Sequence, residues 1–388
     1  MTELYLIRHV QAEGNLYRMM QGHWDGDVTE PGRKQRDALA ERFAGMKIDA
    51  VYSSDLYRAA FTATAITLNR PEMKIRLRRA LRELDIGPLE KAFFGDYMHR
   101  ERESMTLFMY DSEKWSYEGA ETFMEAGGRA LEEIEKISRR HDGQSVAVVS
   151  HGITIRSFLS IITGIPLNDT ARLPICGNTA VTKLIYSDGE FKVEYFNDTS
   201  HLGDVPRWGA VPSLRAERLD PVRDSVFYCG CYADAWKGAH GNLKGYQPEV
   251  YLKSATDHCR SDRDAVLKLF DGDTPAGIIE MDINRGAEKG TGWVAFLYLA
   301  EEYRKRGIGI QALGRAIMHY SDLGRENIGL SVAEDNTAAL AFYRKWGFAE
   351  KSSFRNGQGR IITMERRIDC RDREGLMKMC IREEEENE

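Results

Sequence analysis

Short apolar runs alternate with amphipathic stretches through the first 200 or so residues. Leu4–Ile7, Ala50–Ser53 and Val146–Val149 have the length and composition of strands in a parallel sheet covered on both faces. Between them, Phe123, Gly127, Ala130, Ile134 and Ile137 recur at helical spacing and predict one buried helix face. The rhythm stops at His201–Pro212, a Pro/Gly-rich stretch without periodicity that reads as a linker. A second pattern starts near Leu214. It has strands at Gly277–Met281, Gly292–Leu299 and Ile328–Val332, and a helical stripe of Ile310, Leu313, Ile317 and Tyr320. The pattern fades after Arg367. A length of 388 residues suits two domains. The pattern therefore predicts an α/β chain with domains at 1–204 and 214–368, a linker at 205–213, and a solvated acidic tail at 369–388.

Composition narrows the function classes without naming one. Hydrophobic residues are 42% and charged residues 29%, as in a protein with packed cores. The 54 Lys+Arg against 60 Asp+Glu leave a net charge of −6 with no basic block, which argues against nucleic acid as a partner. The apolar region 146–165 is interrupted by His151 and Arg156, so no membrane span is expected. The apolar run at the start is too short for a secretory leader. Six cysteines lie at 176, 229, 231, 259, 370 and 380, and only Cys229 and Cys231 are close-set. Neither a disulfide nor a zinc site is expected, and the chain reads as cytoplasmic.

The candidate chemistry of the first half sits at strand ends. Arg8 and His9 directly follow the strand Leu4–Ile7, and His151 directly follows Val146–Val149. Arg58 lies just beyond Val51–Ser54, at the start of a helical run. Ligands of open α/β sheets bind beyond the carboxyl ends of the strands, so these four residues would converge. Two arginines and two histidines there make a cationic pocket sized for a phosphoryl group.

These residues also carry a resemblance. Leu6-Ile-Arg8-His9-Val-Gln-Ala-Glu-Gly-Asn15, Val51-Tyr-Ser-Ser-Asp-Leu-Tyr-Arg58, Leu81-Arg-Glu83-Leu-Asp-Ile-Gly87, Val148-Val-Ser-His151-Gly152 and Asn197–Leu202 occur in order. Together they resemble the histidine phosphatase superfamily, the phosphoglycerate mutase-like fold, over residues 1–204. The resemblance implies a three-layer α/β/α domain in which His9 attacks phosphorus and forms a phosphohistidine. Arg8, Arg58 and His151 would hold the phosphoryl oxygens, Asn15 would add a neutral donor, and Glu83 would protonate the leaving alkoxide. No metal is implied. Val10 and Ala12 stand where the family signature has glycine and threonine. The sequence after Glu83 resembles the phosphatase branch rather than the mutase branch. The aromatics between Gly87 and Glu121 fall where the family places a substrate-covering insertion.

In the second half, the strand Gly292–Leu299 is followed by Arg304-Lys-Arg306-Gly307-Ile308-Gly309-Ile310 and then a helix. Such a turn presents backbone N–H groups at a helix N-terminus and suits a pyrophosphate. With the later Asn336…Ala339…Phe342-Tyr343…Gly347-Phe348, residues 214–367 resemble the GNAT N-acetyltransferases, a mixed αβ fold. The resemblance implies acetyl-CoA as cosubstrate and an amine acceptor. The amides of Arg306–Ile310 would hold the pyrophosphate, with Arg304 assisting. Carbonyls near Leu297 and Leu299 would hold the pantetheine arm beside a splayed strand. Tyr343 would protonate the leaving thiolate, Glu280 would serve as base, and Asn336 would bind ligand or fix the loop. Tyr232 and Trp236 are expected on a helix near the acceptor cleft or in the core. His23, His99, His141, His240, His258 and His319 have no catalytic neighbours in sequence and read as surface or core groups. The expected activities are phosphomonoester hydrolysis and acetyl transfer in one chain. The alternatives are an acetyltransferase with a weakened phosphate-ester-binding domain, or a mutase-like phosphotransferase.

Overall fold

A computed structural model describes residues 1–205, 211–357 and 359–382. Part of the expected linker (206–210) and the acidic residues 383–388 lie outside the described residues. The chain divides into two compact units: Met1–Phe93 with Arg100–Ala210 and Arg371–Glu388, and Phe94–His99 with Val211–Cys370.

The first unit is built on strands β1 (Thr2–Arg8), β2 (Ala50–Ser53), β3 (Ile75–Leu77), β4 (Ser145–Ser150), β5 (Val181–Ser187) and β6 (Glu190–Asp198). A short C-terminal strand, Cys380–Ile381, joins them, and the sheet order is Cys380–Ile381, β3, β2, β4, β1, β5, β6. The first five of these are parallel. β5 and β6 add an antiparallel edge that the apolar pattern did not distinguish. Alternation along each strand separates the two faces. Tyr5, Ile7, Val51, Ala147 and Val149 pack with Leu39 and Phe43 of helix Glu30–Phe43 and with Ala63 and Ile66 of helix Tyr57–Thr67. Their neighbours Leu4, Leu6, Val146 and Val148 are also fully buried, on the opposite face. Helix Phe123–Arg140 reaches that face: Thr2 Oγ1 donates to the Ser138 carbonyl (2.8 Å), and the Tyr52 hydroxyl meets His141 Nε2 (2.9 Å). The helix opens with a capping box between Thr122 and Glu125 and buries the face its spacing predicted. The result is an α/β/α sandwich.

Register fixes where the site lies. Ile7 pairs with Val149, Arg8 with Ser150 and Ser53 with Val149. β1, β2 and β4 therefore end level, and the residues that follow each of them emerge at one edge of the sheet.

One expectation gives way here. Residues 369–388 were expected to be a solvated tail, but they include helix Arg373–Met377 as well as Cys380–Ile381. Leu376 enters the same core as Ile66 and Ile75. Within the insertion, Phe108 and Trp115 pack on each other and on Phe123 of the following helix, edge to face at 5.1–5.8 Å, and Trp115 is buried.

The second unit is a mixed sheet in the order β12-β13-β11-β10-β9-β8-β7. Its strands are β7 (Arg215–Arg218), β8 (Val266–Asp271), β9 (Thr274–Asp282), β10 (Thr291–Leu299), β11 (Asn327–Ala333), β12 (Ala349–Asn356) and β13 (Gly359–Arg367). Only β10 and β11 pair in parallel. Helix Gly309–Asp322 lies close across β10. A Cβ at Gly292 would fall 2.1 Å from the Tyr320 ring, so glycine is required there, and the Tyr320 hydroxyl donates to the Trp293 carbonyl (2.7 Å). No described helix is long and apolar enough to cross a membrane.

Candidate active sites

Arg8 ends β1, and His9, the next residue, is 3% exposed beneath the sheet edge. Backbone bonds lock this turn: His9 N–H donates to the Ser150 carbonyl (3.0 Å), and Asn178 Nδ2 donates to the His9 carbonyl (3.0 Å). His9 Nδ1 donates to the Val10 carbonyl at 2.6 Å, which places the proton on Nδ1 and leaves Nε2 with its lone pair. Burial first, then Arg58 and Arg8, push the His9 imidazole well below its ordinary titration range. It is therefore neutral near pH 7, as a nucleophile must be.

His151 stands opposite, with its ring centroid 5.1 Å from that of His9. It caps helix Gly152–Thr163 directly after β4 and is fully buried, with no hydrogen-bond partner at either ring nitrogen. Burial and the charge of Arg58 depress its titration as well. Burying an unpaired polar group costs about 1–3 kcal/mol, so a ligand atom that hydrogen-bonds to His151 would recover that cost. Arg8 donates to the Cys176 carbonyl, and its Nε is buried without a partner. Gly152 lets it lie there, because a Cβ on residue 152 would come within 3.1 Å of Arg8 Nε. Arg58, fully buried in the first turn of helix Tyr57–Thr67, donates to the Trp24 carbonyl (3.0 Å) and the Gly22 carbonyl (2.7 Å). Asp25 Oδ1 lies 3.9 Å from its Nη1.

Glu83 completes the ring. Its carboxyl accepts from the backbone N–H of Leu84 (3.1 Å), Ile153 (3.2 Å) and Thr154 (2.9 Å), at the N-terminus of helix Gly152–Thr163. Arg8 and Arg58 both lie within electrostatic reach of this carboxyl. The four strand-end residues expected to converge are thus together, with the Glu83 carboxyl beside them. Asn15 lies at the rim, where its Oδ1 accepts from Ala12 N–H (3.0 Å), so its first task is to cap the short helix Glu13–Tyr17. Val10 and Ala12 are both fully buried, and Val10 N–H donates to Thr62 Oγ1 (2.9 Å).

Other residues contribute without a signal in the sequence. His23 was expected to lack catalytic neighbours, yet its Nε2 donates to the Glu83 carbonyl (3.0 Å). Arg129 donates to the carbonyls of Ala80 (2.9 Å), Arg82 (2.7 Å) and Glu83 (2.9 Å) while Glu121 grips it from the other side. Glu90 accepts from the backbone N–H of His23 and of Trp24 (3.0 Å), and Asp25 faces Arg58, so both residues fix the loop 22–25 beside that arginine. All four are separated from the motifs in sequence and reach the site only through tertiary folding.

In the second unit, β10 pairs with β11 only from Thr291 to Val294. The register of β10 against β9 shifts between Val294 and Phe296, and beyond that point β10 follows β9 alone while β11 follows β13. This is the splay expected beside Leu297 and Leu299. The turn before helix Gly309–Asp322 places Lys305 at φ 58° and Gly307 at φ 76°, left-handed conformations that expose successive N–H groups. Ile308 and Ile310 are buried, and a Cβ on Gly309 would meet Phe342 at 3.3 Å. These residues fit a pyrophosphate bound by backbone amides. Arg306 lies over the Tyr303 ring, 5.5 Å from its centroid.

Arg304 has partners of its own within the unit. Its Nε donates to the Leu299 carbonyl (2.8 Å) and its Nη2 pairs with Asp234 (3.2 Å), so it braces the end of β10 and already occupies one of the carbonyls expected to hold pantetheine. Asn336 caps helix Thr337–Lys345 by accepting from Ala339 N–H (3.1 Å), which is a loop-fixing role. Tyr343 is buried on that helix against Phe342 and Phe348, and burial raises its phenol above the ordinary range. Glu280, fully buried in β9, accepts from Tyr228 (2.8 Å) and Tyr232 (3.2 Å) and from His258 Nδ1 (2.8 Å). His258 was not expected beside a candidate base, and the hydrogen bond to Glu280 raises its titration above 6.5. The i,i+4 spacing of Tyr228 and Tyr232 was the one available hint of the cluster.

The level strand ends, the paired histidines and their arginines define the first unit as a phosphoglycerate mutase-like α/β domain. The second unit is a mixed sheet whose two parallel strands, β10 and β11, part after Val294. The chain belongs to the histidine phosphatase superfamily (branch 1), whose family model matches residues 4–199. The acetyltransferase (GNAT) family model matches residues 232–348. Phosphoserine phosphatase 1 of Hydrogenobacter thermophilus is 28% identical over 204 residues, which is 53% of this chain and 96% of that protein. The probable phosphoglycerate mutase GpmB of Salmonella choleraesuis is 29% identical over 211 residues, 53% of this chain and 97% of that protein. Among solved structures, Bacillus stearothermophilus YhfR is 29% identical with a TM-score of 0.50, covering 52% of this chain and all of the other.

Proposed function

We propose that the first unit hydrolyses a small phosphomonoester through a phosphohistidine. The observation that carries this reading is His9, buried and neutral, with its proton committed to the Val10 carbonyl, its Nε2 lone pair free of that bond, and its ring beside His151 and within the field of Arg58 and Arg8. Nε2 attacks phosphorus and the ester P–O bond breaks. The arginines and His151 bind the phosphoryl oxygens, and Glu83 supplies a proton to the departing alkoxide. Water, giving its proton back to Glu83, then displaces phosphate from His9. The name of the Hydrogenobacter relative makes phosphoserine the first substrate to test. Release of phosphate from p-nitrophenyl phosphate and phosphoserine tests the reading. Wild type is expected to turn over and His9→Ala to be inert, and equal inertness of the two overturns it. Incubation with phosphoglycerate, followed for isomerisation, separates hydrolysis from the mutase-type alternative.

The second unit, in the same proposal, transfers acetyl from acetyl-CoA to an amine. The amine attacks the thioester carbonyl, Glu280 accepts its proton through the Tyr228/Tyr232/His258 cluster, and Tyr343 protonates the thiolate. The support is the parting of β10 from β11 directly before the glycine turn. Calorimetric titration of the full chain with acetyl-CoA is expected to show one site, and absence of binding removes this half of the reading.

A further inference from the structure

The family match ends at residue 199, yet the first unit takes in a segment from the far end of the chain, Arg371 onward. Cys380 and Ile381 pair in parallel with Ile75 and Arg76 of β3, and Lys74 Nζ donates to the Lys378 carbonyl (2.9 Å). Ile75 N–H donates to the Met379 carbonyl (2.9 Å), and Leu376 is 8% exposed in the core. This strap ends β3 as a free sheet edge.

Its upstream part does something more specific. Arg371 Nη1 donates to the Asp25 carbonyl. Arg373 Nη2 lies 3.4 Å from Asp25 Oδ2 and its guanidinium sits over the Tyr57 ring, 6.0 Å from the centroid. Asp25 Oδ2 also accepts from Tyr57 N–H (2.9 Å), and Asp25 Oδ1 faces Arg58. The loop around Asp25 is the one whose Gly22 and Trp24 carbonyls hold the Arg58 guanidinium. Two cations from the strap therefore grip one residue, by its backbone and by its carboxylate, and that residue borders the phosphate-binding arginine. Arg373 shares the Asp25 charge with Arg58.

We propose that Arg371 and Arg373 are positioning residues of the phosphatase site: through Asp25 they set the loop 22–25 and hence the hold of Arg58 on a phosphoryl group. The inference rests on the reading of that pocket as a phosphate-ester site. Arg371 carries the larger effect, since it is a charged donor to a backbone carbonyl, whereas Arg373 is half-exposed and its pair is partly screened.

The test uses the full chain, with inorganic phosphate as the calorimetric probe and p-nitrophenyl phosphate for kinetics. Arg371→Ala with Arg373→Ala is expected to weaken phosphate binding and raise KM about tenfold while kcat changes less than about twofold. Arg373→Ala alone is expected to weaken binding about threefold, and Arg373→Lys to restore most of it. In an Asp25→Asn background, Arg373→Ala should add almost nothing, because its partner charge is gone. Lys378→Ala, elsewhere on the strap, should match wild type. If the double variant melts early, the single Arg373 variants and the Asp25 cycle carry the decision, since a merely structural strap would not confine its effect to KM or make it depend on Asp25. Unchanged phosphate affinity in a folded double variant, or an Arg373→Ala effect undiminished by Asp25→Asn, overturns the inference. A wild type that neither binds phosphate nor hydrolyses the ester overturns the phosphatase reading instead.

Discussion

Arg129 is the residue whose removal should most clearly separate the folded site from its sequence motifs. Its guanidinium donates to the carbonyls of residues 80, 82 and 83 and is held bidentately by Glu121, with the two side chains only 24% and 17% exposed. Replacement by Met keeps the stem but withdraws three hydrogen bonds from a charged donor. Such bonds contribute roughly 1.5–3 kcal/mol each, and water at the exposed quarter recovers part of that, leaving a loss of about 3 kcal/mol. For a unit of this size that corresponds to a fall in melting midpoint of roughly 6–12 °C. The loop it frees carries Glu83, so the proposed proton donor moves relative to His9, and a misplacement of this kind should lower kcat about tenfold or more. The assays are thermal melting and steady-state hydrolysis of p-nitrophenyl phosphate, below the variant's melting midpoint. A midpoint within about 1 °C of wild type together with unchanged kcat would refute the reasoning.

Other outcomes follow from the same geometry. His9 and His151 are both depressed below 6.5, chiefly by burial, so kcat/KM should show no imidazole-type loss between pH 7 and pH 5.5, where an ordinary histidine would lose about tenfold. Because the unfolded chain takes up protons that these two histidines refuse, stability should fall as pH drops through 6.5, and a rise in chemical-denaturation midpoint on acidification would contradict this. Gly152→Ala puts a Cβ 3.1 Å from Arg8 Nε, so the guanidinium must give way. KM should rise about fivefold, and an unchanged KM would show the contact to be harmless. Asn336→Ala should cost about 1 kcal/mol through loss of its helix cap and leave acetyl-CoA affinity within about twofold; a large affinity loss without a change in melting would make Asn336 a ligand group.

Much of the first site is legible because its residues lie at the ends of strands. A strand-end residue is tied to a local pattern, and parallel register then brings Arg8, Arg58 and His151 to one edge without further instruction. The glycine turn of the second unit is legible for the same reason, since Gly307 and Gly309 act through local backbone geometry. By contrast, Arg304 has the position of a ligand group but is drawn onto Leu299 and Asp234, a partner 70 residues away. His258 reaches Glu280 across 22 residues, and Arg129 reaches Glu83 across 46. Side chains with long reach and several donors are claimed by whatever carbonyls and carboxylates the packed chain brings near, and periodicity does not encode that.

Hydrophobic period and short motifs are local properties, so the order of elements, the families and the strand-end candidates Arg8, His9, Arg58 and His151 can be read from the amino acids alone. The proton of His9 on Nδ1 and the capping role of Asn336 depend instead on packing. The C-terminal segment shows the difference most plainly. Its charged composition reads as solvated tail, yet Leu376 finds a core and Cys380–Ile381 finds the open edge of β3, some 300 residues upstream. Unpaired strand edges and core vacancies exist only after the chain has folded, so what fills them is settled by three-dimensional complementarity rather than by the segment's own pattern.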